Sequence, residues 1–271
     1  MMLNWLQSIL LGFVSGLTEF LPVSSNGHQA ILFYLFGNTR QDALCNILIR
    51  LSVIVSIFVC FRKHIERIFS SRRGRRSLSR SRHSYYEKRL LGLASIPMLA
   101  GILLYALLLR QNTNLALISV FLVINGVVLL IAEYSSHGNK DARTMSALDT
   151  LCMGVAGAAS AFPGLSRFGM VSSAGIARGA DRRHCFIWSV MLLIPALLLL
   201  IGLDFTILFS GHSVWLLKNF ICYVLVALSA YFGSFCGIKL MIYLVSQRGA
   251  PSFAYYSWGL AIFTFVLFLI A

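Results

Sequence analysis

Apolar residues run along this chain in long, almost unbroken blocks. Those at about 44–61, 90–109, 115–132, 185–203, 219–245 and 252–270 each approach the roughly 20 residues that an α-helix needs to cross a hydrocarbon core. They predict six transmembrane helices. Two further apolar stretches, 3–22 and 148–177, are interrupted by Pro22 and by Pro163-Gly164 together with small polar residues. Irregular backbone at membrane depth survives only where protein or a wet cavity covers it, so both stretches are expected as re-entrant helix-loop-helix elements. The expected fold class is an all-α integral membrane protein, with six transmembrane helices and two re-entrant elements in a single membrane domain over 1–271.

Composition agrees with the pattern: 58% of the residues are hydrophobic and 12% charged, with a mean hydropathy of +0.80, far outside the range of a soluble domain. Charge at first points elsewhere, because 23 Lys and Arg against 9 acids leave a net +14, which invites nucleic acid as a partner. Placement excludes it. Arg62, Lys63, Arg67, Arg72, Arg73, Arg75, Arg76, Arg80, Arg82, Lys88 and Arg89 fall in one loop, 62–89, between two apolar blocks, as the positive-inside rule expects of a cytoplasmic loop. Its Arg/Ser-rich centre, 70–84, is expected to be flexible, and it reads as a topology signal ahead of a contact for anionic lipid.

Counting outward from that loop puts Lys140, Arg143, Arg178, Arg182, Arg183 and Arg248 on the cytoplasmic side, with 38–43, 110–114 and 204–217 outside. The broken stretch 3–43 must then enter and leave from the outer face and 148–183 from the inner face. Opposed insertion of this kind marks an inverted repeat, with repeat 1 about 1–134 and repeat 2 about 148–271. A faint echo agrees: Gly12 precedes Phe20, and Gly154 precedes Phe162, by the same interval, each Phe soon followed by a Pro and a Ser. The expected location is a bacterial cytoplasmic (inner) membrane, crossed many times.

Other chemistry is sparse. The N-terminus lacks the cationic start and the small-residue cleavage site of a signal peptide and is expected to be retained. Cys45, Cys60, Cys152, Cys185, Cys222 and Cys236 form no C-x-x-C pair and are expected as buried free thiols. The histidines show no metal-ligand spacing, which argues against a zinc hydrolase. Glu133 and Asp149 are expected at the membrane interface.

What remains are two polar strings on the two breaks, Gly16-Leu17-Thr18-Glu19-Phe20-Leu21-Pro22-Val23-Ser24-Ser25-Asn26-Gly27-His28 and Phe162-Pro163-Gly164-Leu165-Ser166-Arg167. A charged residue at bilayer depth costs roughly 2.5–3.5 kcal/mol on insertion scales and is functional by default. Pro22 stops one half-helix, and Ser24 or Ser25 caps the next, whose free N–H groups and positive dipole end suit a phosphate. Ser25 and His28 lie one turn apart, so imidazole could relay a proton to hydroxyl or phosphate. Gly27 lets a substrate approach, and Asn26 lies beside it. Glu19 is a hard oxygen ligand able to hold a divalent cation, Mg²⁺ or Ca²⁺, with phosphate oxygens. In the second string Gly164 permits the turn, Ser166 caps, and Arg167 offers a planar fork matched to phosphate. Arg50, too deep to be an interface anchor, is expected as a second anion-facing cation. The plainer alternatives are caps without chemistry, a core histidine and a structural cation.

At these residues the chain resembles the undecaprenyl-diphosphate phosphatase family of the bacitracin-resistance type. Gly16 to His28 follows its G-L-T-E-F-L-P-I/V-S-S-x-G-H nearly letter for letter, and Pro163 to Arg167 follows the start of its P-G-x-S-R-S-x-x-T. Weaker agreement at Phe61-Arg62-Lys63, Ile96-Pro97, Asn125-Gly126, Ile194-Pro195, Ile238-Lys239 and Phe253 through Gly259 carries the resemblance over most of the chain. It implies an inverted-repeat membrane enzyme, often a homodimer, that removes one phosphate from a polyprenyl diphosphate lipid at the outer face and so recycles the carrier for cell-wall synthesis. By motif position Glu19 would be the carboxylate, Ser25 the nucleophile or a phosphate ligand, His28 the acid/base, and Ser166 with Arg167 the phosphate clamp. The chain departs from the pattern at Ser15, where the family usually has a second acid or Gln, and at Phe168 and Val171, where it has hydroxyls. Those losses keep open a transporter reading, a flippase for undecaprenyl phosphate with weak or no phosphatase activity.

Overall fold

The computed structural model describes residues 3–37, 42–69, 78–108, 114–135, 138–212, 220–246 and 251–270. Along them run ten α-helices: α1 Trp5–Glu19, α2 Ser25–Leu35, α3 Ala43–Phe69, α4 Leu78–Leu108, α5 Leu115–Tyr134, α6 Ala147–Ala159, α7 Arg167–Ala177, α8 Arg182–Ile207, α9 Phe220–Ser246 and α10 Ser252–Ile270. Among the described residues there is no β-sheet, only an isolated bridge between Lys140 and Ala180. Six stretches are long and apolar enough to cross a membrane: Ala43–Ile68, Tyr85–Leu108, Leu115–Tyr134, Arg182–Ser210, Phe220–Leu244 and Ser252–Ile270. They coincide with the six apolar blocks, and the chain is a multi-pass inner-membrane protein. The helices outlast their blocks at the basic loop: α3 reaches Phe69 and α4 begins at Leu78, since Lys and Arg are good helix formers. Part of the stretch expected to be flexible is therefore helical, while 70–77 lies outside the described residues.

Short and long helices alternate in a repeated order. α1 and α2 have 15 and 11 residues, α6 and α7 have 13 and 11, and each short pair precedes three long helices. The short pairs pack across the chain, α1 along α9 and α6 along α4. Small residues permit this closeness: a Cβ on Gly12 would strike the Val226 carbonyl of α9, and one on Gly154 would strike the Ala94 carbonyl of α4. Leu11, Ile57, Val190 and Val226 share one buried cluster, while Met98, Met153, Trp188 and Leu192 share another. α8 serves both and is apolar all round, as a central helix should be. The outward faces of α5, α9 and α10, with Ile131, Phe232 and Ile262 exposed, present the oily surface that lipid solvates.

Where α5 ends and α8 begins the charges are paired. Asp149 is fully buried, accepting from Lys140 Nζ at 3.0 Å, Arg178 Nε at 2.8 Å and Ser146 N–H at 3.0 Å, and so ties both ends of the α6–α7 pair together. Glu133 of α5 takes both terminal nitrogens of Arg182, at 2.8 and 3.0 Å. All six cysteines are free, but Cys45 and Cys185 alone are buried and Cys236 is exposed.

Candidate active site

The two breaks face each other. At Pro22 the chain cannot continue α1, because proline lacks the N–H and its ring crowds the preceding turn. Leu21 O accepts from Val23 N–H at 2.8 Å, and the carbonyls of residues 21 and 22 also take donors from other segments: Ser166 Oγ donates to Leu21 O at 3.2 Å, and Asn125 Nδ2 to Pro22 O at 2.8 Å. Asn125 also accepts from Ser166 N–H at 2.9 Å and donates to Ser257 Oγ at 3.1 Å, so a single amide from the middle of α5 staples both breaks and α10. In return Ser24 Oγ accepts from Gly164 N–H and from Gly27 N–H, each at 3.2 Å. Ser24 caps α2 and Ser166 caps α7, as expected of them.

Two backbone positions hold this arrangement. Ser24 sits at φ 68°, the one left-handed non-glycine residue among those described, a conformation that persists only where its surroundings over-determine it and that clusters at functional sites. Gly164, at φ 107°, passes within 2.6 Å of where its Cβ would meet the Ile118 carbonyl; no side chain fits there.

Into this junction project an acid, a base and a hydroxyl. Arg167 Nη1, on the first turn of α7, donates to Glu19 Oε1 at 2.7 Å, with side-chain exposures of 5% and 8%. Ser25 Oγ donates to the other carboxylate oxygen in an unusually close contact. Arg167 Nε is buried with no hydrogen-bond partner among the described residues. A guanidinium donor left unmatched at a helix N-terminus favours an anion that can reach it. Ser25 is thus a hydroxyl already directed at a carboxylate, the pairing that activates a nucleophile.

His28 is turned differently from the relay the spacing suggests. Its Nδ1 lies 2.7 Å from Ser24 O and its Nε2 2.8 Å from the hydroxyl of Tyr256 on α10; the contacts of Ser25 and of His28 are with different groups. Asn26 is half-buried on the first turn of α2, and Gly27 packs toward Gly164. Arg50 is a correction: its guanidinium, on α3, pairs with Asp204 on α8 and approaches Leu200 O at 3.4 Å. Asp204 is only 1% exposed, inside a helix that extends past the expected outer boundary, and the group that Arg50 faces is this acid.

The divalent cation expected at Glu19 meets a poor donor set. Both oxygens of Glu19 are engaged by Arg167 and Ser25, and the place of a second acid is held by Ser15, whose buried hydroxyl has no partner among the described residues. No three His, Cys, Asp or Glu side chains gather among the described residues. These residues do not form a protein cage for a metal.

Behind the breaks lies a cavity of about 80 Å³, bounded by Pro22, Phe168, Ser172, Phe253 and the Glu133–Arg182 pair. Asn125 and Tyr256, which contribute as much to the junction as the motif residues do, lie in stretches of weaker family agreement to which the sequence assigns no part in the site. Asn125 could have been found as the lone amide in a twenty-residue apolar helix. Tyr256 carries no such mark, because tyrosine near a helix end is ordinary in a membrane protein.

Comparison with known proteins bears on all of this. A family model described as bacitracin resistance protein BacA matches residues 8–263. The chain is 29% identical over 270 residues to an undecaprenyl-diphosphatase of Carboxydothermus hydrogenoformans, covering 98% of each chain. It is 28% identical over 267 residues to undecaprenyl-diphosphatase 3 of Bacillus cereus, again over 98% of each, and 29% identical over 253 residues to an undecaprenyl-diphosphatase of Treponema denticola, over 92% of each.

Proposed function

The chain belongs to the bacitracin resistance protein BacA family, and from that premise we propose that it hydrolyses undecaprenyl diphosphate to undecaprenyl phosphate and orthophosphate at the outer face of the membrane. The observation that carries this reading is the convergence of Glu19, Ser25 and Arg167 where two broken helices meet. The equivalent packing of Gly12 and Gly154 and the recurring order of helix lengths support an inverted repeat in which α1–α2 and α6–α7 are re-entrant. In such a fold both helix N-termini open on the diphosphate from opposite sides, as in transporters with broken helices.

The residues divide the work as follows. Arg167 and the N-terminal turns of α2 and α7, with Ser24, Asn26, Gly27, Gly164 and Ser166 shaping the backbone around them, hold the phosphates. A cation about 4 Å from one phosphate charge attracts it by up to roughly 4 kcal/mol at an effective dielectric of 20, and by less where, as at Arg167, a carboxylate shares the charge. Glu19 accepts the proton of Ser25 as its oxygen attacks the terminal phosphorus. The bond from that phosphorus to the bridging oxygen breaks, and undecaprenyl phosphate leaves with the bonding pair. A water then attacks the phosphorus of the phosphoserine, the bond from that phosphorus to Ser25 Oγ breaks, and Glu19 returns its proton to the leaving serine oxygen, with His28 as the acid/base group that takes the proton of the water. Arg167 balances the charge that moves onto the leaving oxygen.

The test is phosphate release by the detergent-purified protein from a C15 or C55 diphosphate. Wild type is expected to be active, with Glu19→Ala, Arg167→Ala and Ser25→Ala each lowering kcat by at least about a hundredfold. Release unchanged in Arg167→Ala rejects the assignment of the clamp. Activity retained by Ser25→Ala moves the attack to water. A transport reading, leaflet exchange of an isoprenyl phosphate, is favoured by one feature, the cavity that reaches Pro22 and Phe168 from the side of Glu133 and Arg182. Exchange in liposomes without any phosphate release would select it.

A further inference from the structure

His28 has a fixed environment on both edges of its ring. On one edge Nδ1 lies 2.7 Å from the carbonyl oxygen of Ser24. A carbonyl can only accept, so Nδ1 carries a hydrogen whatever the charge of the ring. In the neutral imidazole Nε2 is then the lone pair, and the group opposite it, 2.8 Å away, is the hydroxyl of Tyr256. The phenol donates. Its ring lies parallel to the imidazole, with centroids 5.8 Å apart and an interplanar angle of 5°, so the contact is made by a side chain aligned with the histidine over its whole plane.

Burial gives the pair a direction. His28 is 7% exposed and Tyr256 is 49% exposed, so the phenol is the more accessible member of the hydrogen-bonded pair. Ser25, on the same face of α2 one turn earlier, is engaged with Glu19 instead. With one nitrogen committed to Ser24 and the other to Tyr256, the imidazole exchanges no proton by a direct route.

We infer that Tyr256 is the positioning residue of His28, setting the tautomer of the imidazole, and that its hydroxyl is the atom through which His28 gains and returns a proton. This rests on the reading of His28 as the acid/base group of a phosphatase. In the forward direction the phenol passes its proton to Nε2 while its oxygen takes one from the water that attacks the phosphoserine; the phenol is regenerated and the ring becomes imidazolium. In the reverse direction Nε2–H returns the proton to the phenol oxygen, which releases its own to the departing phosphate. No oxidant, reductant or further reactant enters.

The experiment pairs kinetics with nitrogen spectroscopy on the full-length protein in detergent. With ¹⁵N-labelled histidine, and His28→Gln to assign the resonances, wild type is expected to show His28 protonated at Nδ1 with a hydrogen-bonded Nε2 lone pair. Tyr256→Phe, which keeps the ring and removes only the hydroxyl, is expected to move the Nε2 resonance to its unbonded position. It should lower kcat by about ten- to a hundredfold while leaving KM unchanged. The double variant His28→Gln/Tyr256→Phe should be no slower than His28→Gln, since the two act as a unit. A wild-type ring protonated at Nε2 alone overturns the inference, as does a Tyr256→Phe enzyme with unchanged kcat. So does a double variant in which the two losses add. Wild type that releases no phosphate would defeat the phosphatase reading, and the nitrogen spectrum would then decide the placement of Tyr256 by itself.

Discussion

At the scale of single residues, the junction is held by groups whose loss leaves a partner stranded. Arg167→Ala would leave Glu19 buried beside a space, and breaking a buried ion pair by removing one member costs about 3–5 kcal/mol. The midpoint of thermal unfolding should fall together with activity, whereas Glu19→Gln/Arg167→Met, which removes both charges, should recover stability without recovering turnover. Asn125→Leu is a sharper probe, because it leaves Glu19, Ser25 and Arg167 in place. It strands Pro22 O and Ser166 N–H, at about 1–3 kcal/mol for each buried group left unsatisfied, and should impair both folding and catalysis. Wild-type stability and turnover in this variant would show that the breaks are positioned by something else. The pair Arg50–Asp204 is the control: Asp204→Asn is expected to destabilise while the kcat of the remaining folded protein, measured per active molecule, stays within about twofold of wild type.

Among the elements, the helices that cross the membrane were the most legible, because length and apolarity are read directly from the chain and the bilayer sets the required length. The two breaks were legible too, since proline stands there with a cluster of small polar residues, whereas Pro97 and Pro195 sit inside α4 and α8 without one. Less legible was who packs on whom. Gly12 and Gly154 could be matched to each other by eye, but only their contact with Val226 and Ala94 explains why neither tolerates a side chain. Gly12→Leu should therefore pry α1 from α9 at a cost of about 1–3 kcal/mol or more, read as a lower unfolding midpoint in detergent. Gly202, which has open space around it, should accept alanine with a gain, having no contact to lose. The partner of Arg50 was not legible, because a charge in a low-dielectric interior is defined by what it pairs with, and Asp204 is remote in sequence from any motif.

For the molecule as a whole, the family assignment and the six spans agree with what the apolar blocks and the two polar strings imply. The chemistry of the junction differs in detail, because hydrogen-bond partners depend on side-chain direction and not on spacing along one helix. Ser25 and His28 are one turn apart yet turn to Glu19 and to Tyr256. Since no cage of acids and histidines gathers among the described residues, a chelator is expected to leave the unfolding midpoint of the substrate-free protein unchanged. A fall in that midpoint with EDTA, reversed by Mg²⁺ or Ca²⁺, would point to an ion held by the protein itself.

The cross-chain packing of α1 along α9 and of α6 along α4 carries a consequence for how the protein is made. While the ribosome is still synthesising the second half, α1 has been delivered to the bilayer with its glycine face bare and Glu19 without its guanidinium. Such an intermediate must wait in the translocon or under a chaperone until α9 arrives, so assembly closes from the last helices back to the first, and a nascent chain stopped before Phe220 should be prey for membrane proteases.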